Sequence, residues 1–432
     1  MTNVMPSAIT SELIIIGAGA AGLFAGRELA RAGRRVTVLE ARDRVGGRVH
    51  TLAPTGFSAP IETGAEFMHG DVPLTKQLLR EAGIKWEATE GTTYVVKNGE
   101  VQPDGAFFGE LPPLLKKLYT LEHDLPLAEF LAQEFGGPEH DDLRAIATQF
   151  AEGYDAADPA RASAFALRDE WAEGGADDSP RPVGGYGPLL EWLAAQAQAA
   201  GATLALGVAV QKVAWQPGHV QVRAADGTVY EARQVLCTVP LGVWQRPAGQ
   251  PGHLAFAPEL PEHRVAAQRL GNGPVIKFLL EFEAPLWQPS LPELEFVLSD
   301  QPVPTWWSQL PNGRPLLTGW LAGPAAARHQ ATPEAELLEL ALESLATVLN
   351  TTATALRARL RASRVSNWGA EPFSYGAYSY PTVGAPEFRA ALATPVADTL
   401  FFAGEALVGG PAAGTVEAAL VSGQAAVRQV LA

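Results

Sequence analysis

The sequence predicts a protein of mixed α/β and α+β class, in which a discontinuous Rossmann-like dinucleotide-binding domain is joined to a second domain of sheets and helices. Three observations lead to this expectation. A strand, a glycine-rich turn, a helix and a second strand follow one another between Ser11 and Arg48. Another strand–turn–helix pattern closes the chain. Strand-like alternation of apolar and polar residues fills much of the region between them.

The first of these units has the form of a dinucleotide site. An apolar strand leads into Gly17-x-Gly19-x-x-Gly22, and the next strand ends at Glu40. Gly17 permits the tight turn, Gly19 lets a diphosphate approach the backbone, and Gly22 lets the helix pack on the strand. The diphosphate is then expected at the positive end of the helix. Glu40 is placed to accept hydrogen bonds from the adenosine ribose.

A second glycine-rich stretch distinguishes this site from one that binds only NAD. It reads Arg42-x-Arg44-x-Gly46-Gly47-Arg48. Adjacent glycines let the backbone come close to a ligand, and the three arginines are expected to place positive charge near phosphate oxygens. The sequence therefore favours FAD over NAD.

Composition narrows the function classes. The chain has 432 residues, enough for two or three domains, and its net charge of −15 argues against a nucleic-acid partner. A single cysteine, Cys237, allows no internal disulfide, and the histidines show no metal-ligand spacing. No secretory signal or apolar run of ~18 residues is recognisable. We therefore expect a cytoplasmic monomer or homodimer that binds no metal, nucleic acid or membrane.

Hydrophobic periodicity and turn residues predict the other elements. Helices are expected at residues 73–82, 112–122, 127–135, 141–153, 189–197, 332–349 and 415–431. Strands are expected at residues 203–213, 220–223, 229–239, 274–283, 314–322 and 399–403.

The two ends of the chain are the segments with the strongest strand–turn–helix character. We therefore expect one domain to be assembled from both ends and a central piece. The expected FAD-binding domain comprises residues 1–72, 186–265 and 386–432, and the expected substrate domain comprises residues 73–185 and 266–385.

Lys277 is the first candidate for chemistry, because it interrupts a continuous apolar strand. A buried lysine must be paired or have a lowered pKa, and such lysines are often functional. Strand alternation allows a second interpretation, in which Lys277 lies on a solvated face beside Glu281. Spacing alone leaves both open.

An aromatic segment and a late acidic turn are the next candidates. Five aromatic residues between Trp368 and Tyr380 indicate either a pocket wall suited to amines or ordinary core packing. Later in the chain, a strand delivers Glu405 to a glycine turn, where a carboxylate can hold sugar hydroxyls. The helix that begins near Thr415 can stabilise negative charge on a bound ring.

These motifs resemble those of the flavin-containing amine oxidases, which include monoamine oxidases, polyamine and spermine oxidases, and lysine-specific histone demethylases. The resemblance runs nearly end to end and is most specific at residues 17–48, 64–70, 271–287 and 368–423. It implies the amine oxidase fold, an FAD cofactor, and a small amine and dioxygen as substrates.

The resemblance also implies roles for individual residues. Lys277 matches the lysine that holds a water against flavin N5, and Tyr378 matches one wall of the aromatic cage before the flavin. His69, Tyr375 and Trp368 are the expected substrate contacts. The expected FAD contacts are Gly17, Gly19, Ala21, Gly22, Glu40, Ala41, Arg42, Gly47, Arg48, Gly64, Ala65, Glu66, Val210, Trp368, Gly404, Glu405, Gly414, Thr415 and Val416.

Three departures from the family pattern refine the expectation. Ala377 occupies the position of the cysteine that attaches FAD in monoamine oxidases, so FAD should be non-covalent. The glycine-rich stretch around Pro411 and Ala412 replaces the second cage tyrosine. The coiled-coil insertion of the histone demethylases is missing, which argues against a chromatin role. His69 matches a channel histidine of animal polyamine oxidases and favours polyamines; a turn histidine held by hydrogen bonds is the alternative.

The sequence thus predicts FAD-dependent oxidation of an amine, such as a polyamine, to an imine and then an aldehyde, with hydrogen peroxide formed from dioxygen. Two alternatives remain open. One is a related flavoprotein acting on another substrate, as an amino-acid oxidase or a desaturase does. The other is a flavin-binding protein without turnover.

Overall fold

A computed structural model describes residues 9–102, 111–172, 179–410 and 412–432. Its α-helices are Ala20–Arg31, Pro73–Glu81, Leu111–Tyr119, Leu127–Glu134, Asp141–Gly153, Ala164–Ala172, Gly187–Ala199, Leu241–Trp244, Pro261–Arg269, Gly323–Arg328, Glu334–Val348, Ala353–Arg359, Ala385–Ala393 and Val416–Leu431. Short 3-10 helices are Pro138–His140 and Glu405–Leu407.

A five-stranded parallel sheet brings the two ends of the chain together. All five strands run in the same direction, and the last strand pairs directly with one from the middle of the chain. The strand order is Thr203–Ala205, Val36–Leu39, Leu13–Ile16, Gln234–Cys237 and Leu400–Phe402. Because carboxyl ends of parallel strands meet at one edge, the glycine loop after Ile16 and the turn after Phe402 become neighbours.

Helices cover one face of this parallel sheet and a second sheet covers the other. The first and last long helices, Ala20–Arg31 and Val416–Leu431, pack together with Gly187–Ala199 in one apolar core. The second sheet is five-stranded and contributes to a separate core on the opposite face. Its order is Ile9–Thr10, Val229–Ala232, His219–Ala224, Val210–Gln216 and Ala255–Ala257.

A seven-stranded sheet forms the other large layer. Its central strand, Val275–Phe282, is buried along its whole length, and Glu334–Val348 packs in the same apolar core. The pairing is antiparallel except between Leu294–Ser299 and Thr92–Lys97. The order is Leu360–Asn367, Val275–Phe282, Arg314–Ala322, Thr305–Gln309, Leu294–Ser299, Thr92–Lys97 and Glu100–Val101.

Three short strand pairs complete the described sheets. They are Thr51–Leu52 with Ile61–Glu62, Trp86–Glu87 with Arg181–Pro182, and Gly271–Gly273 with Tyr378–Tyr380. The last pair positions Tyr378, since it holds the end of the aromatic segment against Gly271–Gly273, just before the strand of Lys277.

The predicted mixed class is confirmed, and most long elements begin and end within a few residues of their expected positions. Four strands were not predicted from the sequence: Thr92–Lys97, Leu294–Ser299, Thr305–Gln309 and Leu360–Asn367. Leu360–Asn367 is an edge strand with mostly polar or half-exposed residues, so it has no apolar face to detect. The run expected at 203–213 is two strands in different sheets, because the chain turns at Leu206 and Gly207.

We propose the domain division expected from the sequence, with residues 1–72, 186–265 and 386–432 in one domain and 73–185 and 266–385 in the other. The two five-stranded sheets draw their described strands from the first set of ranges, and the seven-stranded sheet draws its strands from the second. In the described part of the chain, no helix is both long enough and apolar enough to cross a membrane.

Candidate active site

A cavity of about 1080 Å³ extends from the glycine loops of the parallel sheet to the seven-stranded sheet. Ligand pockets of ~300–1,000 Å³ are typical for small molecules, so this one has room for a large cofactor and a substrate. Its wall combines residues from both ends of the chain with residues from the middle. The chemistry changes along the wall, from glycines and arginines through an aromatic part to an acidic part.

The glycine loop at the end of the first strand is shaped by close backbone contacts. Gly17 has a φ of +108°, which favours glycine. A Cβ on Gly22 would lie 2.0 Å from the Gly17 oxygen, so Gly22 allows the helix to approach the loop. Gly22 does not itself line the cavity. It acts through packing, as the sequence predicted.

Three further glycines bring neighbouring segments close together at this loop. Gly46 forms a parallel bridge with Gly19, and Gly47 adopts a φ of +60° beside it. A Cβ on Gly64 would lie 1.9 Å from the Arg48 oxygen. Thus the segment after Thr63 runs closely along Arg48 only because residue 64 has no side chain.

Glu40 lies at the end of the second parallel strand and is buried. Its carboxylate accepts hydrogen bonds from Ala18 N at 2.7 Å and from Arg42 N at 2.9 Å. Ala41 and Val210 line the cavity next to it. A carboxylate fixed in this way keeps lone pairs for further donors, such as sugar hydroxyls.

The expected clamp of three arginines takes a different form in the structure. Arg44 donates to the oxygens of Val45 and Gly47 and does not line the cavity, so it braces the loop; its expected phosphate role was wrong. Arg42 lines the cavity, but its guanidinium donates to Pro372 O at 2.5 Å and to Ser374 Oγ at 3.0 Å. The loop that accepts these bonds lies 330 residues away, so spacing could not reveal them.

Arg48 joins the two ends of the chain. Its Nη1 lies 2.7 Å from Glu405 Oε1 and donates to Ala377 O at 2.9 Å. The other oxygen of Glu405 accepts from Ser379 Oγ at 2.6 Å. This network fixes Glu405 at the cavity wall, where the parallel sheet ends.

These residues fit a flavin dinucleotide. The glycine loops leave space at the start of the first helix, and Glu40 offers a carboxylate for the ribose. The last helix begins at Val416 and is capped by Thr415, whose Oγ1 accepts from Ala418 N at 3.1 Å. Buried Arg389 has Nε and Nη2 atoms without a hydrogen-bond acceptor among the described residues, which suits an anionic ligand.

Lys277 is buried, with 1% of its surface exposed, so the solvated-face interpretation was wrong. Its Nζ lies 2.6 Å from Glu66 Oε2 and 3.2 Å from Gly64 O. Glu281, the expected neighbour on a solvated face, is also buried and pairs with Arg314 at 2.7 Å. Every side chain of this strand is buried, because sheet and helices cover both its faces.

The carboxylate of Glu66 is surrounded by donors and cations. Its Oε1 lies 3.1 Å from Trp307 Nε1, Gln309 Nε2 and Arg181 Nε, and its Oε2 pairs with Lys277. Burial opposes ionisation of Glu66, but the charges of Lys277 and Arg181 outweigh it and lower the pKa to about 2. Glu66, an expected FAD contact, therefore lines the cavity with its side chain committed to Lys277.

An aromatic wall extends from Lys277 to the far end of the cavity. The Trp307 ring centre lies 5.7 Å from that of Trp320, which stacks on Tyr378 at 6.4 Å with an interplanar angle of 19°. Tyr378 donates to Tyr154 O at 2.5 Å, and burial raises its pKa far above the usual value, so it remains a phenol. Trp307, Trp320 and Tyr154 were not predicted as site residues from the sequence. The adjacent tryptophans Trp306 and Trp307 were the one sequence feature that could have indicated this wall.

His69 belongs to this wall and is also held by a hydrogen bond. Its ring lies 5.6 Å from Phe67 and edge-on to Tyr154 at 5.5 Å. Nδ1 lies 3.0 Å from Ser179 Oγ. Burial lowers the pKa of His69 to about 4, so the ring is neutral at neutral pH.

The other aromatic candidates separate into two groups. Trp368 lines the cavity and donates to Thr63 O at 2.7 Å. Tyr375 does not line it: its hydroxyl donates to Pro251 O at 3.1 Å, and Arg246 lies 4.2 Å above its ring. The expected substrate contact for Tyr375 was therefore wrong. The side chain packs on the loop around Pro251 and not on the cavity, and the backbone of Tyr375 is left-handed at this point, with a φ of +51°.

An acidic group of side chains forms the far end of the cavity. It comprises Asp124, Asp155, Asp169 and Glu170. Asp155 and Glu170 are half-buried and hydrogen-bond to each other, which requires a shared proton. Burial raises the pKa of Asp155 to about 7, and burial together with the Asp155 charge raises that of Glu170. In the described part of the chain, no Lys or Arg forms an ion pair with either carboxyl.

Most expected site residues meet in this one cavity. They are Gly17, Gly19, Ala21, Glu40, Ala41, Arg42, Gly47, Arg48, Gly64, Ala65, Glu66, His69, Val210, Lys277, Trp368, Tyr378, Gly404, Glu405, Gly414, Thr415 and Val416. Pro411, named for the missing cage tyrosine, lies outside the described residues. The residues that the structure describes contain no group of three or more potential metal ligands.

Comparison with known sequences places this site in a family context. The family model described as flavin containing amine oxidoreductase matches residues 20–431. Polyamine oxidase 4 of Oryza sativa subsp. japonica is 31% identical over 450 residues, covering 96% of this chain and 87% of that protein. Lysine-specific histone demethylase 1 homolog 2 of Arabidopsis thaliana is 27% identical over 444 residues, covering 91% and 55%.

Solved structures show the same fold. Wild-type putrescine oxidase bound to putrescine superposes with a TM-score of 0.78 at 22% identity, covering 98% of this chain and 99% of that one. Cyclohexylamine oxidase from Brevibacterium oxydans IH-35A superposes with a TM-score of 0.79 at 20% identity, covering 97% and 98%.

Proposed function

The chain belongs to the flavin-containing amine oxidoreductase family, and we propose that it oxidises amines carrying at least two cationic nitrogens, with non-covalent FAD and dioxygen. Flavin-dependent oxidation of an amine follows from the family. The substrate class and the formation of hydrogen peroxide are our proposal. The observation that carries the proposal is the acidic end of the aromatic cavity.

The residues that would hold FAD are those of the glycine and arginine end of the cavity. Glu40 would accept from the ribose, the loop from Gly17 to Gly19 would receive the diphosphate, and Glu405 would face the sugar-alcohol chain. The amino end of the helix at Val416 would stabilise negative charge on the ring. Ala377 offers no sulfur for a covalent bond, so we propose non-covalent binding.

FAD, when bound, would provide the acceptor for a hydride equivalent from the carbon next to the amine nitrogen, and dioxygen would then be reduced to hydrogen peroxide. Water then hydrolyses the imine to an aldehyde and a smaller amine or ammonia. The chain must therefore place one amine nitrogen in neutral form near the reacting centre. It must also exclude water from that part of the cavity.

Aromatic and neutral groups suit the reacting amine. Tyr378 and Trp320 offer π faces to the nitrogen and its carbon chain. His69 is uncharged at neutral pH, so it does not repel a cationic substrate. We propose that Lys277, held by Glu66, assists the reaction with dioxygen. Its charge is fixed at the cavity wall rather than free to move.

The acidic end suits a second, cationic nitrogen. Asp155 and Glu170 share a proton in the resting protein and lack a described cationic partner. An ammonium group that enters can replace that proton and pair with the carboxylates. A monoamine lacks this group, so it gains nothing from the acidic end. The polyamine preference rests on this asymmetry and on the position of His69.

The test is a panel of amines that includes a monoamine matched in chain length to putrescine. Peroxide formation and anaerobic bleaching of the flavin are measured with putrescine, spermidine and spermine, and with butylamine as the monoamine control. We expect kcat/KM to be larger for the diamines, and Asp155→Asn with Glu170→Gln to remove most of that preference. Asp142→Asn, at an exposed surface site of the helix before Asp155, is the matched control. Equal kcat/KM for diamines and butylamine would refute the substrate proposal.

The structure favours this reading over an amino-acid oxidase. Recognition of an amino acid requires a cation free to bind the substrate carboxylate. Among the cations of the described cavity wall, Lys277 is paired with Glu66, Arg48 with Glu405, and Arg42 with a loop. Arg389 has no such partner, but it lies near Glu405, in the part of the wall that we assign to FAD. Bleaching of the flavin by amines distinguishes an enzyme from a flavin-binding protein without turnover. We also propose a cytoplasmic location.

A further inference from the structure

Arg389 is a buried arginine whose charge has no partner within the described protein. It lies on helix Ala385–Ala393, is 6% exposed and lines the cavity. Its Nε and Nη2 atoms are enclosed and donate to no acceptor among the described residues. A buried guanidinium without acceptors is costly to the fold, so an anion that accepts from it would be strongly favoured.

The nearest acidic influence on Arg389 does not neutralise it. Burial lowers the pKa of Arg389 and the charge of Glu405 opposes that effect. Glu405 already pairs with Arg48 at 2.7 Å and accepts from Ser379 at 2.6 Å. Two guanidinium groups therefore share one carboxylate. This part of the cavity wall carries an excess of one positive charge.

The fold places Arg389 beside the turn that follows the last strand of the parallel sheet. Helix Ala385–Ala393 packs on strand Leu400–Phe402 and on the short helix that starts at Glu405. Arg389 also fills the space left by Gly409, since a Cβ there would lie 3.1 Å from its Nη1. The side chain is held at the same wall as Glu405 and Gly404.

We propose that Arg389 binds the diphosphate of FAD and supplies the charge that the sequence pattern assigned to Arg42. Arg42 is turned to Pro372 and Ser374, whereas the Nε and Nη2 atoms of Arg389 have no acceptor among the described residues. The diphosphate is the anionic part of the dinucleotide. Arg48 and Arg389, from opposite ends of the chain, stand beside the single carboxylate of Glu405, so together they offset one of the two negative charges of the diphosphate. This inference rests on the flavin cofactor and not on the identity of the amine.

The test measures how tightly the holoenzyme holds FAD. Dilution of the holoenzyme releases FAD, whose fluorescence rises when free, and gives a dissociation constant without any substrate. Loss of a charged hydrogen bond predicts that Arg389→Met weakens FAD binding roughly tenfold to hundredfold, whereas Arg42→Met changes it less. A wild-type dissociation constant in Arg389→Met, or a larger effect of Arg42→Met, would overturn the proposal.

A charge-preserving variant covers the case in which Arg389→Met does not fold. Arg389→Lys keeps the charge and loses the planar fork, so we expect an intermediate dissociation constant that rises more steeply with potassium chloride than wild type. A second comparison uses riboflavin, which has no phosphate, as a competitor of FAD. Its affinity should be the same in Arg389→Lys and wild type. A loss of riboflavin affinity equal to that of FAD would show a purely structural role and refute the proposal.

Discussion

Lys277 Nζ lies 2.6 Å from Glu66 Oε2, so a lysine on a buried strand and an acid on the loop after Gly64 form one ion pair in the cavity wall. The pair extends to Arg181, whose Nε lies 3.1 Å from the other Glu66 oxygen. Two cations thus flank one carboxylate within a largely apolar region. The arrangement leaves a net positive charge at the part of the cavity wall that Lys277 and Glu66 line.

Replacement of Lys277 by methionine tests its proposed part in the reaction with dioxygen. The charge is lost while the volume is nearly kept, so FAD should stay bound. We expect reoxidation of the reduced enzyme by dioxygen to slow by at least roughly tenfold, in line with the loss of one fixed charge at a reacting centre. Stopped-flow mixing with oxygenated buffer measures this rate apart from anaerobic reduction by the amine. An unchanged oxygen rate would remove the assigned role.

The Glu66 carboxylate should make the fold sensitive to acid. Its pKa is lowered to about 2 in the folded protein, so the folded state binds fewer protons than the unfolded chain between about pH 4.5 and pH 2. The stability that Glu66 contributes is fully present above that window and is lost as pH falls through it. Urea unfolding across this range should show a smaller pH dependence in Glu66→Gln than in wild type. Equal slopes for both proteins would contradict the role of the pair.

The acidic pair should make recognition of a diamine depend on pH. Burial raises the pKa of Asp155 to about 7, so below that pH a proton competes with the substrate ammonium. The ratio of kcat/KM for putrescine to that for butylamine should therefore rise with pH by up to about tenfold per unit through about pH 7. It should continue to rise above that pH, because the pKa of Glu170 is also raised by burial and by the Asp155 charge. The reacting nitrogen of either substrate must lose a proton, so this pH dependence is common to both kcat/KM values and cancels in their ratio. A ratio that is flat with pH in wild type would exclude proton displacement.

The raised pKa of Asp155 also affects the stability of the substrate-free protein. Diamine recognition should increase with pH, whereas the free energy of unfolding should decrease. Because the folded pKa of Asp155 lies above the unfolded value, the folded state binds more protons between about pH 4 and pH 7. The free energy of unfolding should fall as pH rises through this window. Asp155→Asn should reduce that fall, measured by urea unfolding of the holoenzyme at several pH values. A steeper fall in Asp155→Asn would contradict the assignment.

Non-covalent FAD is tested by precipitation. Trichloroacetic acid should release all flavin colour into the supernatant, because Ala377 stands where a cysteine would form the covalent bond. Ala377 lines the cavity, and its oxygen accepts from Arg48, so the backbone at this position is in place. Colour retained in the washed pellet would show an attachment through another residue.

The sequence predicted the strands and turns at the glycine end of the cavity, because local motifs determine them. The turn at Gly17, the acid at Glu40 and the turn at Glu405 each follow a strand in an order that spacing reveals. Lys277 could be singled out for the same reason. Its burial and its partner Glu66 could not be deduced, because they depend on a sheet that brings together residues 211 positions apart.

The remainder of the site depends on contacts without a local signature. Trp320 lies on a strand that was predicted, but its stacking on Tyr378 follows from pairing across the fold. Asp155 and Glu170 follow the helix expected at residues 141–153, in a stretch for which the sequence predicted no helix or strand. Tyr375 was predicted as a site residue but does not line the cavity. Its place in an aromatic cluster of the sequence does not determine which side chains face the cavity.

The most direct test of the account is anaerobic titration of the holoenzyme with spermidine or putrescine, followed by admission of oxygen. We predict complete bleaching of the flavin absorbance near neutral pH, return of the oxidised spectrum with oxygen, and release of one hydrogen peroxide for each amine oxidised. Butylamine should bleach the flavin far more slowly at the same concentration. A flavin that no amine on the panel reduces would contradict the central claim.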